Sequence, residues 1–372
     1  MPTFCRHNRF IERCPICSKT LPGRSADARS SRGGRSERAR SERAASSEGP
    51  PRRRRGQGES LRVRHEGRAQ DDGYRSSLVP GLRAFADARR LAEEIAFSCG
   101  RLLVLAAEPP GLYGEVRALA GEDLEQATWA CFLIAYLSPL EQGDQFAGIR
   151  AALEASGAGP PVAIAGHPPA RALPELDEIP LGPRTSHDRA RGGETLLAYW
   201  QWAEHAGQAG VGQAQSPGAR AEPAASGPLA ARAGVQALAF RGDGSWSPER
   251  RFERLFERLA LPGFARMGRY ELLVTLGRLG LYELRPDSLH LAAIRGLSSD
   301  LTTLAAKRVF AIGDPLLLER RAQALAGEIS VPVEALDLAL ANWNSPQRAT
   351  LGVRADTTDE GALERAERAL GL

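Results

Sequence analysis

Apolar residues recur along most of the chain at steps of three and four. Phe85, Ala88, Leu91, Ile95, Cys99 and Leu102 fall on one side of a helix. The stretch LEQATWACFLIAYLSPL, after Gly121-Glu122-Asp123, is apolar nearly all round, which predicts a central helix enclosed by others. Ser247 and Pro248 form a cap and first-turn pair, and Phe252, Leu255, Phe256 and Leu259 then share a side. Leu272, Leu273, Leu276 and Leu279 repeat that geometry up to a turn at Gly280. Further helices are expected near Leu301–Phe310, Pro315–Ala326 and Pro332–Trp343, and VAIAG at 162–166 is the one short strand-like exception. The predicted class is mainly α, with no repeat period.

Two stretches break the pattern. From about Ser18 to Pro80 the chain is Arg, Ser, Gly, Glu and Pro with almost no large apolar residue, too little to offset its ordering entropy, so it is expected to be disordered. A second low-complexity stretch, about 207–234, reads as a disordered insertion. The expected organisation is a head at 1–20, a linker at 21–78, a helical domain at 79–345 carrying that insertion, and a C-terminal tail with a short helix at 346–372.

Charge follows the same division. The whole chain carries +4, yet residues up to Pro80 carry about ten net positive charges, leaving the remainder mildly acidic. An arginine-rich arm suits sequence-independent contact with DNA phosphates and also reads simply as a solvated linker. Lys19 and Lys307 are the only lysines. No apolar run approaches the roughly 20 residues that cross a bilayer, since the best candidate, Trp129 to Leu140, is short. With no secretory-type apolar stretch at the start, the expectation is a cytoplasmic protein without a membrane partner.

Of five cysteines, Cys99 and Cys131 lie within helical patterns and three cluster at the head, which is no disulfide framework. Cys5, His7, Cys14 and Cys17 supply four zinc-type ligands within thirteen positions. The Cys-Pro-Ile-Cys pair puts two thiolates on one ion. A segment this short buries no core, so a structural zinc knuckle, folded by its metal, is expected.

No dinucleotide fingerprint, P-loop, nucleophile elbow or zinc-protease helix is present, which removes support for nucleotide-hydrolysing and dehydrogenase readings. Two polar clusters stand out. In LAAKRVFAIGDPLLLERRAQALAG, Asp314 before Pro315 is an ideal N-cap, and it also pairs with Lys307 as an acid-base couple if the turn brings them together. Arg308 falls on the apolar face marked by Leu301, Leu304 and Ala305, as a snorkelling or paired residue does. In LGPRTSHDRARGG, Arg184, His187, Arg189 and Arg191 suit phosphate contact beside a helix start, while Thr185, Ser186 and Asp188 suit ordinary turn and cap positions.

The segments ATWACFLIAYLSPL, GPRTSHD, RRFERLFERLALPG, LLVTLGRLGLYELRPDSL and AAKRVFAIGDPLLLERRAQALA together resemble the bacterial alpha-glutamyl/putrescinyl thymine pyrophosphorylase family, clade 3, over about Leu78 to Trp343. That resemblance implies a fold akin to the helix-hairpin-helix DNA glycosylases. It also implies a thymine hypermodification activity in which putrescine or glutamate displaces pyrophosphate from a modified base in DNA. Gly313, Asp314 and Pro315 match the glycosylase pattern of a Gly/Pro-rich loop before an aspartate at a helix start. Lys307 is a looser match to the catalytic lysine, and Arg308 joins the phosphate-facing arginines. The resemblance would give Asp314 the amine's proton and Arg184, Arg189 or Lys307 the leaving group. The pattern departs in one respect: no Leu-Pro-Gly hairpin directly precedes Lys307, and Leu261-Pro262-Gly263 lies far upstream. A DNA glycosylase and a non-catalytic DNA-binding protein are the alternative readings.

Overall fold

The computed structural model describes residues 69–156, 176, 178–214, 234–291 and 300–372, with backbone alone over 207–214. The chain divides into two units, Met1–Val63 and Arg64–Leu372. The first lies outside the described residues, and with it the expected zinc ligands Cys5, His7, Cys14 and Cys17 and most of the linker. The strand-like 162–166 also lies outside them. Among the described residues there are helices and no strand.

Twelve α-helices are described: α1 (Phe85–Ala107), α2 (Leu112–Leu119), α3 (Leu124–Leu137), α4 (Ala147–Ser156), α5 (Gly192–Ala214), α6 (Val235–Arg241), α7 (Pro248–Arg258), α8 (Arg266–Arg278), α9 (Leu301–Phe310), α10 (Pro315–Ile329), α11 (Ala335–Asn344) and α12 (Glu360–Leu370). α5 runs through 207–214, within the stretch expected to be a disordered insertion, and residues 215–233 lie outside the described residues.

The all-round apolar α3 is the central helix. Asp123 accepts the Gln126 N–H at 2.9 Å to start it, and every residue from Ala127 to Leu137 is buried. Trp129, Phe132 and Tyr136, three and four apart, form one stacked stripe with ring centroids 5.4 and 5.5 Å apart. Tyr199 of α5 lies on Phe132 at 3.7 Å and Phe264 meets it edge-on at 5.4 Å.

The face of α1 buries Ala88, Leu91, Ile95, Cys99 and Leu102 as its spacing predicts, but Phe85 is 51% exposed, its ring edge-on to Tyr74 at 5.1 Å. By length and composition Phe85–Leu119 would suffice to cross a membrane; instead α1 turns its apolar side chains onto α8, α11 and α12.

The segment after 345 is no tail. Asp359 caps α12 through the Ala362 N–H at 3.1 Å, and Ala362, Ala366 and Leu370 are buried. The Tyr74 hydroxyl donates to the Leu370 carbonyl at 2.6 Å, so part of the expected linker is built into the same core. Gly100 lets the chain before α12 come close to α1, because a Cβ there would stand 2.8 Å from the Thr358 carbonyl carbon.

Candidate functional site

α7 and α8 are joined by a tight hairpin, Leu259 to Ala265. The Leu259 N–H still reaches the Leu255 carbonyl at 2.9 Å, Pro262 restricts the chain, and the Phe264 N–H closes on the Leu261 carbonyl at 3.1 Å. Gly263 has φ +71°, and a Cβ there would stand 2.0 Å from Thr195 Oγ1, so conformation and close approach both require glycine. No side chain caps the start of α8 at Ala265, which leaves its first-turn N–H groups to other acceptors.

The arginine-bearing loop packs against this hairpin. Its Gly182 N–H reaches the Leu137 carbonyl at 3.1 Å, while the Ser186 N–H at 2.8 Å and Thr185 Oγ1 at 3.0 Å donate to the Tyr136 carbonyl, satisfying the end of α3. Ser186 sits so close to Gly268 of α8 that a Cβ there would lie 2.2 Å from its Oγ. Asp188 forms the next turn, accepting the Ala190 N–H on its carboxylate and the Arg191 N–H on its carbonyl.

The loop sends its four cation candidates in two directions. Arg189 and Arg191 are exposed beside the start of α5. Arg184 turns inward: it is 4% exposed and its Nη2 donates to Asp337 Oδ2 at 2.7 Å. His187 is also buried, its Nδ1 paired with the Tyr136 hydroxyl at 3.0 Å. Their side chains serve the interior, which corrects the expectation of a phosphate-facing surface at these two positions.

Asp337 joins two helices and the loop. Arg266, first in α8, pairs with Asp337 Oδ1, with Asp300 Oδ2 at 3.1 Å and with the Leu289 carbonyl at 2.7 Å. Asp300 also caps α9, accepting the Thr303 N–H at 2.9 Å. Burial alone would raise the Asp337 carboxyl, but Arg266 and Arg184 outweigh it and hold it below the ordinary carboxylate range. A second buried pair, Arg101 of α1 with Glu271 of α8, lies nearby, and Thr275 Oγ1 donates to the same carboxylate at 3.1 Å. Arg101, Glu271 and Asp337 line one crevice of about 10 Å³, room for about one water.

The expected Lys307–Asp314 couple does not form. Both residues are exposed, and among the described residues no ion pair joins them. Asp314 Oδ1 accepts the Leu316 and Leu317 N–H groups at 2.9 and 3.1 Å, which makes it the N-cap of α10. Arg308 spends one guanidinium nitrogen on the Asn344 side chain. An open groove of about 390 Å³ lies elsewhere, beside Pro248 and the loop from Gly280 to Arg285. Among the described residues no group of three metal-type ligands comes together.

Sequence reasoning missed Arg266, Glu271 and Asp337. The available signal was charge at positions where the helical pattern demands apolar residues, as in ALDLALANW.

No curated protein and no solved structure matches the chain. Residues 236–351, from α6 through the hairpin, α8 and the Arg266–Asp337 pair to Leu351, match the family model for alpha-glutamyl/putrescinyl thymine pyrophosphorylase clade 3.

Proposed function

We propose that the protein modifies a base in DNA by the pyrophosphorylase-type reaction that the matched family's name describes. The observation that carries this reading is the family match, which falls on the hairpin and on the buried charges that brace it. In the reaction, the amine nitrogen of putrescine or glutamate attacks the base's exocyclic CH2 carbon, the carbon–oxygen bond breaks, and pyrophosphate departs with that bonding pair. The attacking nitrogen loses a proton to a general base.

Within the loop, Arg189 and Arg191 are the arginines available to phosphate groups, since Arg184 is held by Asp337. Asp314 is assigned to holding α10 rather than to proton transfer. Base chemistry within a duplex requires eversion of the nucleotide, at a cost of a few kcal/mol.

A second reading, DNA glycosylase-like base excision, draws on α7 and α8, two helices joined by the short turn at Leu259 to Ala265. Nucleoside mass spectrometry separates the two. Incubation of the full chain with pyrophosphorylated-base duplex and putrescine or glutamate should yield the amine-substituted base and free pyrophosphate. Abasic sites on uracil or hydroxymethyluracil duplexes would favour excision, and salt-sensitive binding without either product would leave a non-catalytic DNA-binding protein.

A further inference from the structure

Leu316 and Leu317 stand in water at 68% and 45% exposure, side by side in the first turn of α10. Among the large hydrophobic side chains exposed in the described residues, these two are neighbours in sequence. The turn that presents them is fixed: Ala311 is left-handed at φ 53°, Pro315 sets the first helical residue, and Asp314 accepts the N–H groups of both leucines.

The charges around this tip are divided unequally. Asp314 spends an oxygen on the cap, and Glu319 turns toward the chain, accepting the N–H groups of Leu289, at 2.9 Å, and Leu291. The cations lie outward: Lys307 and Arg320 are exposed without an ion pair among the described residues, and Arg321, also exposed, donates to the Ser77 carbonyl at 3.3 Å. An apolar pair with one unpaired cation a turn further along α10 and another in the last turn of α9 complements a duplex, whose bases are apolar faces between rows of phosphate.

The tip also adjoins the hairpin site. Leu316 is three residues, or about 4.5 Å of helix axis, from Glu319. Glu319 holds Leu289, and the Leu289 carbonyl accepts from Arg266, the first residue of α8, at 2.7 Å.

We propose that Leu316 and Leu317 form a wedge that enters the stack of duplex DNA beside the modified base, while Lys307 and Arg320 meet the flanking phosphates. The proposal rests on the DNA-directed reading above and adds where the duplex is opened. Wedging of apolar side chains between base steps unstacks and kinks the duplex, and unstacking lowers the cost of everting the neighbouring base.

The test uses the full chain and duplexes carrying 2-aminopurine, whose fluorescence rises on unstacking. Wild type should bind with salt-dependent affinity and raise the signal. The Leu316→Ser/Leu317→Ser variant, altered only at exposed positions, should keep its melting temperature and its salt-dependent binding but lose the rise. Binding by wild type without a rise, or a rise undiminished in the variant, overturns the wedge while leaving the DNA reading intact. A wild-type dimer that the variant abolishes also overturns it, showing the leucines to be a self-association surface. Absence of any duplex binding by wild type sinks the DNA reading itself, and the wedge with it.

Discussion

Arg184 and Asp337, 153 residues apart in sequence, meet inside the protein at 2.7 Å. The contact ties the arginine-bearing loop, outside the family-matched segment, to α11 within it. Asp337→Ala would leave Arg184 without its carboxylate and deprive Arg266 of one of two, a loss on the order of 3–5 kcal/mol for a broken buried pair. Urea denaturation of both single variants and the Arg184→Ala/Asp337→Ala double should show the double costing less than the sum. Single variants within about 0.5 kcal/mol of wild type, the range of ordinary surface changes, would contradict the assignment.

Arg189 and Arg191 are the exposed members of the same loop. Replacing both with alanine should leave melting unchanged and weaken duplex binding across sequences. The slope of log affinity against log salt should flatten by about 0.9 per lost phosphate contact. An unchanged slope in a binding titration would place the DNA contacts elsewhere.

Asp314 gives a separable test, because asparagine caps helices about as well as aspartate. Asp314→Asn should retain both stability and base-modifying activity, while Asp314→Ala should cost about 1 kcal/mol through the lost cap. Inactivity of a fully folded Asp314→Asn protein, measured by nucleoside mass spectrometry, would return the residue to catalysis.

His290 is stacked on Phe256 at 4.3 Å, and burial, with Arg266 and Arg269 nearby, lowers its pKa to about 4 against the opposing pull of Asp287. Between that value and the ordinary histidine range, the unfolded chain takes up a proton that the folded chain refuses. Its contribution is therefore complete above the unfolded pKa and lost as pH falls toward about 4. The loss is about 3 kcal/mol at most. Denaturation midpoints should fall more steeply for wild type than for His290→Asn as pH drops from about 6.5 toward about 4; equal pH dependence in both would refute the burial argument.

The cluster Cys5, His7, Cys14 and Cys17 predicts one zinc per chain. Metal analysis of the full-length protein should show it, and Cys14→Ser/Cys17→Ser should release it. Retention of zinc by that variant would point to other ligands.

The helices were legible because their signals are local. α3 announced itself by being apolar all round, and α7 by its Ser-Pro start. The site was legible only in pieces. Leu-Pro-Gly at 261–263 and the loop at 182–191 are both visible as turns, but nothing local says that Gly263 must admit Thr195 or Gly268 admit Ser186. Arg184 and Arg191 read alike in sequence, and Asp337, far downstream, decides which of them is turned inward. Asp314 was legible as a cap because the proline after it and the N–H groups it accepts are all local.

The embrace of α1 by α11 and α12 has a bearing on biosynthesis. While a ribosome is still translating the second half, the part of α1 that packs on α11 and α12 lacks that cover, which is complete only after Leu370 has left the ribosome. The nascent polypeptide thus carries a sticky segment through most of its own elongation, a natural target for holdase chaperones.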